Sequence, residues 1–290
     1  MILITGASGF IGRHIVKKLL ALNLQITLIS RTSSRESIQF SKGISNVVYV
    51  DDLFALDEEQ WYPILQGIDA VLHCAWYAEP GFYLDSPKNM DCLVGTIRLA
   101  KASAKCGIKK FVGIGTCFEY EISDEDLSTE TPLIPATLYG SCKASSYMTL
   151  NSFFQQNCID FLWCRLFHVY GQGEDQRKLS AYIHHQLNVN SIVELGSGEE
   201  IRDFVNVDIV AEKVVAGMLS NTVGAFNICT GEGLSVKQFA TDIAEKHDKL
   251  HLLKFNSRSV SSSLNPPRVV GVPSKILDKP PELGASNGNV

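Results

Sequence analysis

The sequence predicts an α/β fold: a doubly wound parallel sheet of the Rossmann type with a smaller, mainly C-terminal lobe. Three observations predict it. Short apolar strands alternate with helical stretches up to about residue 167, a glycine-rich turn joins the first strand to the first helix, and the alternation turns irregular beyond residue 168. With 290 residues, 45% of them hydrophobic and 20% charged, the chain can bury a full core and a second small lobe.

ILIT (2–5) reads as the first strand, and apolar residues at Ile11, Ile15, Leu19 and Leu22 mark an amphipathic helix after it. QITLIS (25–30) and NVVYV (46–50) are the next strands. A helical stretch around 57–66, the strand AVLHCA (70–75), a helix over 88–106 and the strand KFVGIGT (110–116) follow. ATLYGSCKASSYMTLNSFF (136–154) reads as a long helix and FLWCRLF (161–167) as another buried strand. Residues 208–220 and 225–229 have the pattern of a helix and strand able to return to the main sheet. The predicted division is a dinucleotide-binding domain over 1–167, with 203–229 returning to it, and a substrate-binding lobe from 168–202 and 230–290. The terminal GASNGNV has nothing to bury and is expected to fray.

Net charge is −5 and no long basic run occurs, which disfavours a dedicated surface for nucleic acid or an anionic membrane. No apolar run approaches the roughly 20 residues that span a bilayer. MILITGASG is already a strand and turn, with no charged and apolar leader pattern, so a cytosolic protein is expected. The eight cysteines include no CxxC pair and lie mostly in apolar segments, which predicts buried reduced thiols rather than a disulfide framework or a metal site.

In TGASGFIG, Gly6, Gly9 and Gly12 stand between the first strand and the first helix, with Ser8, Phe10 and Ile11 among them. Glycines there let backbone amides approach a pyrophosphate, and the helix N-terminus offers unsatisfied N–H groups to it. The second strand ends in Ser30, Arg31 and Thr32 rather than in the acidic residue that accepts hydrogen bonds from an adenosine ribose. Arg31 can pair with a 2′-phosphate and Ser30 can donate to it, so NADP(H) is favoured over NAD(H). A surface arginine opening a loop that also holds Arg35 is the plainer alternative. Farther on, YGSCK sets Tyr139 and Lys143 four apart on one helical face, able to meet one ligand, although many solvated helices share that spacing.

TGASGFIG, Thr116 at the end of KFVGIGT and YGSCK, in that order, resemble the extended short-chain dehydrogenase/reductase family, whose members act on nucleotide sugars. RLFHVYG (165–171) and RDFVNVD (202–208) also resemble that family's substrate-lobe motifs. The resemblance implies Thr116, Tyr139 and Lys143 as the catalytic set. Tyr139 would protonate a carbonyl oxygen as hydride arrives, Thr116 would hydrogen-bond it, and Lys143 would hold the nicotinamide ribose and favour the phenolate. It further implies Asp51 near the adenine, where a solvated turn explains Asp51 and Asp52 equally well. His168 and Arg202 are implied at the substrate diphosphate; the alternative for Arg202 is a pair with Asp203 that serves only the loop. His73 is read as packed at a strand end rather than as a base.

Family dehydratases carry an Asp-Glu pair directly after the catalytic threonine, where this chain has Cys117 and Phe118; Glu119, one position displaced, is read as a polar loop residue. The 3,5-epimerase/reductases place a cysteine two residues after the threonine and a histidine later, where Phe118 and approximately Lys178 stand. The resemblance therefore implies NADPH-dependent reduction of the 4-keto group of a CDP-, dTDP- or GDP-linked 4-keto-6-deoxyhexose, giving a deoxysugar for surface polysaccharide. The alternatives are an NAD-dependent 4-epimerase and, less favoured, a non-catalytic NADP(H) sensor. Gln172 stands where relatives have proline. Cys92 stands where an asparagine often bridges to the lysine through water, with Asn89, one helical turn earlier, as the candidate substitute. A homodimer through the helices near 88–106 and 136–154 is expected.

Overall fold

The computed structural model describes residues 1–33, 43–256 and 266–277. Arg35, most of the Ser/Asn/Pro-rich stretch from 256 to 267 and the terminal GASNGNV lie outside them. The first half of the chain runs β1 (Ile2–Thr5), α1 (Phe10–Ala21), β2 (Ile26–Arg31), β3 (Ile44–Val50), α2 (Glu58–Leu65), β4 (Ala70–His73), α3 (Lys88–Lys105), β5 (Lys110–Thr116), α4 (Leu138–Gln156) and β6 (Asp160–Leu166). β7 (His168–Tyr170), α5 (Leu179–Asn188), β8 (Val193–Leu195), β9 (Ile201–Arg202) and β10 (Phe204–Asn206) follow. The chain then forms α6 (Val207–Met218), β11 (Gly224–Ile228), β12 (Leu234–Ser235), α7 (Val236–Lys246), β13 (Leu253–Phe255) and β14 (Arg268–Val269).

The central sheet is parallel throughout, in the order β11-β6-β5-β4-β1-β2-β3. Its inner strands are mostly apolar and, apart from Asp160 at the start of β6, buried along their length because both faces are covered. Alternation sorts the side chains. Ile2, Ile4, Leu72, Val112 and Leu162 join Ile15 and Leu19 of α1 and Val210 and Val214 of α6 in one core. Leu3, Val71, Phe111, Phe161 and Trp163 point the other way and pack with Trp61 of α2, Leu99 of α3, and Leu150 and Phe154 of α4. This is the doubly wound arrangement predicted above.

The returning segment closes the sheet, since β11 pairs in register with β6. Lys110 fastens it. Its buried ammonium donates to the carbonyls of Gly217 (3.0 Å), Thr222 (3.1 Å) and Ser220, which terminate α6 and lead into β11. Phe204–Asn206, within the segment read as returning, pairs instead with β7 outside the central sheet. A separate small core gathers Ile183 and Leu187 of α5, Val193 of β8, and Phe239 and Ile243 of α7. Phe204 and Phe239 stack there with ring centroids 3.8 Å apart. Among the described residues no helix is long and apolar enough to cross a membrane. All eight cysteines are free; Cys158, contrary to the expectation of burial, is exposed in a turn at φ +53°.

Candidate active site

Gly6, Arg31, Asp51 and Thr116 lie at or just beyond the carboxyl ends of the parallel strands, whose order reverses between β1 and β4, whereas Tyr139 and Lys143 stand on α4 and Arg202 on β9 of a separate small sheet. Each glycine of the first turn has a separate reason. Gly6 has φ +70°, and a Cβ on it would meet the Ala75 nitrogen at 2.6 Å, so the turn after β1 lies directly on the segment after β4. A Cβ on Gly12 would lie 2.1 Å from the Gly6 carbonyl, which only glycine avoids as α1 packs against the turn. Gly9, the exposed N-cap of α1, would meet nothing but that carbonyl, at 3.2 Å, and no side chain caps the helix. The amides of the first turn of α1, with Ser8, Phe10 and Ile11 around them, thus form an open anion cradle that fits a dinucleotide pyrophosphate.

At the end of β2 the Ser30 hydroxyl is buried without a hydrogen-bond partner, beside exposed Arg31. Both pair in register with Tyr49 and Val50 at the end of β3, and exposed Asp51 follows. Asp52 accepts the Phe54 amide at 2.9 Å, as a turn residue does.

A second corner forms where β5 ends. Thr116 accepts the Phe118 amide at 3.3 Å, and its hydroxyl is near enough to the Tyr139 phenol to act on it in the direction of a lower pKa. The two meet because Gly140 lets α4 approach: a Cβ there would lie 2.3 Å from the Phe118 carbonyl. Thr137 caps α4 by accepting the Gly140 amide, and the Tyr139 amide is tied to the Leu84 carbonyl at 2.8 Å. Burial pushes the Tyr139 phenol well above the ordinary tyrosine range, with Tyr83 adding to the effect. The Tyr83 ring meets it edge-on at 4.9 Å.

Lys143 departs from the expectation that it favours the Tyr139 phenolate. Its ammonium donates to the Ile114 carbonyl at 2.6 Å and lies 3.8 Å from the centre of the Trp76 ring, so burial of the phenol prevails. Burial also lowers Lys143 to about 8. Asn89 does not reach Lys143: its carbonyl accepts the Trp76 indole N–H at 2.8 Å, while its amide donates to the Tyr83 and Ser86 carbonyls.

Glu119 is not a polar loop residue. It is fully buried, bonded to the Arg165 guanidinium at 2.7 Å, the Trp163 indole at 2.9 Å and the Thr116 amide at 2.8 Å. The glycines of GIGT make this possible, since a Cβ on Gly115 would lie 2.2 Å from Trp163 Nε1 and 2.4 Å from the Glu119 carboxylate. Residues 117–119 turn into a short 3-10 helix, so strand alternation does not carry Cys117 onward. Its thiol is buried and pushed up to about 12 by that burial. His73 is held between Thr5 (2.8 Å) and Thr96 (2.9 Å). Because Thr96 donates its proton to the Cys92 carbonyl, His73 must donate from Nε2 and accept at Nδ1. Burial lowers it to about 3, with the Lys143 charge adding to the effect, and the neutral ring is structural.

On the opposite wall, burial first, then the charges of Arg202 and Lys178, lower His168 to about 3, and its Nδ1 is buried without a partner. Arg202 also acts on Cys117, which follows Thr116. Asp203 is occupied elsewhere: its carboxylate accepts the Thr230 and Gly231 amides. The alternative of a structural Arg202–Asp203 pair is therefore not what the structure holds. Lys178, at the N-cap of α5, sits 5.1 Å from the Tyr83 ring. Sequence reasoning also passed over His14, which bridges Asp208 (2.8 Å) and the Gln172 carbonyl (2.9 Å) and so ties α1 to the wall that carries His168.

Among curated proteins, the chain is 26% identical to the dTDP-6-deoxy-L-talose 4-dehydrogenase (NAD(+)) of Aggregatibacter actinomycetemcomitans, covering 88% of this chain and 93% of that protein. It is 27% identical to the CDP-abequose synthase of Salmonella typhimurium, over 82% and 78% of the two chains. Among solved structures it resembles a UDP-N-acetylglucosamine 4-epimerase from Methanobrevibacter ruminantium M1, with TM-score 0.79, 25% identity, and 97% and 93% of the chains covered. Residues 2–229 match the NAD dependent epimerase/dehydratase family, and with its cradle and sheet order in place the chain belongs to that family.

Proposed function

We propose that the protein is an NADPH-dependent 4-ketoreductase acting on a nucleoside-diphosphate-linked 4-keto-6-deoxyhexose, in the production of a deoxysugar for surface polysaccharide. One observation carries the reading: the Thr116 hydroxyl and the Tyr139 phenol converge on one corner, while the neighbouring acid and imidazole are consumed, Glu119 by Arg165 and His73 by two threonines. Ketone reduction needs one proton donor. Dehydration and 3,5-epimerisation need a further acid and base, and neither Glu119 nor His73 is free to serve as one. The Aggregatibacter relative, named for redox chemistry at C4 of a dTDP-6-deoxyhexose, supports the same position of attack.

Gly6, Ser8, Gly9, Phe10, Ile11 and Gly12 would hold the pyrophosphate, Arg31 with Ser30 the 2′-phosphate, Asp51 the adenine side, and Lys143 the nicotinamide ribose. A bound nicotinamide supplies the hydride. Tyr139, kept protonated by its burial, gives its proton to the ketone oxygen, and the Thr116 hydroxyl stabilises the charge growing there. Arg202 and His168 would anchor the substrate diphosphate; the unpartnered Nδ1 of His168 is a donor or acceptor waiting for a ligand oxygen. Residues 168–202 and 230–290 would form the substrate lobe. Met90 and Val94 of α3 and Met148 of α4 are exposed, which supports a homodimer through these helices.

The test is to mix the protein with NADPH and CDP-, dTDP- and GDP-4-keto-6-deoxysugars, following the reduced nicotinamide by absorbance and the product by NMR. Stoichiometric NADPH consumption with a new C4 carbinol is expected. The second reading, a 4-epimerase, is favoured by the likeness to the Methanobrevibacter epimerase and needs only the same three residues. Interconversion of C4 epimers without net NADPH loss, by protein that purifies with tightly bound NAD, would replace the first reading by the second.

A further inference from the structure

We propose that Trp76 is a positioning residue for Lys143, its indole face holding the ammonium where a cofactor ribose would meet it, with Asn89 locking the ring; this rests on the reading of Lys143 as a ribose ligand. The Lys143 side chain is almost wholly buried, and among the described residues no carboxylate lies within ion-pair distance of it. A buried ammonium without a counter-ion is costly. Ile114 takes one N–H at 2.6 Å, and the Trp76 ring, 3.8 Å from Nζ to centroid, takes the second direction. The third remains for a ligand.

The other described groups around the ammonium act on it without touching it. Glu119, beyond β5, offsets part of the cost of burial, but its ion pair is with Arg165. Cys74 after β4 and Cys92 on α3 have thiols pushed up by burial and are neutral, as is His73 on β4. The Trp163 ring is farther away, at 5.7 Å. The Trp76 ring itself cannot swing freely. Its N–H is bound to Asn89, which is fully buried and anchored by two backbone carbonyls, and its edges meet Phe54 and Tyr139 at 6.4 and 6.5 Å. Asn89 thus acts on Lys143 through an indole, where the family resemblance suggested a water.

The experiment titrates Lys143 by NMR of 15N-lysine-labelled protein without substrate, assigning the signal with Lys143→Arg. Trp76→Phe keeps an electron-rich face, whereas pentafluorophenylalanine at the same position keeps the size and reverses the ring's quadrupole. The Phe protein is expected to titrate close to wild type. The fluorinated protein should lose its Lys143 proton about one pH unit or more lower, with NADPH affinity roughly tenfold weaker above that midpoint. Trp76→Leu should behave like the fluorinated protein, and if it fails to fold, the isosteric pair still decides. Equal Lys143 midpoints in the Phe and pentafluorophenylalanine proteins overturn the proposal. A Lys143→Met protein that binds NADPH as tightly as wild type overturns instead the reading of Lys143 beneath it.

Discussion

The turn after β1 and the corner after β5 stand on the same edge of the same sheet, yet they are built from opposite materials. The first is made by backbone: three glycines remove side chains so that amides and a helix end face outward. The second is made by side chains, and those side chains rest on a buried layer of charge in which Glu119, Arg165, Trp163 and Tyr120 bond to one another. A backbone site needs only local sequence to form. A side-chain site is as good as the packing beneath it, and that packing comes from strands far apart in the chain.

Four perturbations break or sharpen this contrast. Tyr139→Phe should have the largest effect, lowering kcat by about 10²- to 10⁴-fold while NADPH binding at the β1 turn is kept, as single-turnover and binding measurements would separate. A matching loss of cofactor affinity would mean that the two sites are not independent. Glu119→Gln leaves the Arg165 guanidinium buried without its carboxylate, and unfolding free energy in urea should fall by about 3–5 kcal/mol. Replacing both residues by leucine should restore much of it, whereas an unchanged midpoint in the single variant would strip the charged layer of its supporting role.

Acid offers a graded version. His73 and His168 bind a proton near pH 6.5 when unfolded but only near 3 when folded, so the unfolded chain holds more protons between those values. Stability from this source is fully present above about pH 6.5 and drains away as pH falls, by up to about 1.4 kcal/mol per pH unit for each histidine. His73→Gln should reduce that slope by one proton, read from urea unfolding at a series of pH values. The smallest effect belongs to the exposed rim of the backbone site. Arg31→Asp should weaken NADPH about tenfold relative to NADH, and equal losses for both cofactors would remove Arg31 from 2′-phosphate recognition.

The elements of the central sheet were legible because most are buried, largely apolar runs bounded by turns, and the structure ends most of them within two residues of where the periodicity does. The two- and three-residue strands β7 to β10 and β12 to β14 were not, since so short a strand has no period to detect. Gly6, Gly9 and Gly12 announced their place by local spacing. Glu119 misled because its carboxylate sits in a run of polar residues, and nothing local to it names Trp163 and Arg165, on the neighbouring strand but far along the chain, as partners. A glycine at every other position of GIGT was the available signal: strands seldom forgo side chains unless something large lies against them. Lys143 was found by its spacing from Tyr139, but its actual neighbour, Trp76, follows a different strand.

The Lys110 clamp and the return of β11 have a consequence for how the molecule can be made. Until residues 224–228 have left the ribosome, β6 is an outer strand, an apolar ladder with one row of amides and carbonyls unsatisfied. A fragment ending near residue 167 would carry the whole glycine turn and the Thr116 corner and still be expected to stick to its own kind. The glycine turn is complete early in the chain, but the open edge of the sheet is covered late.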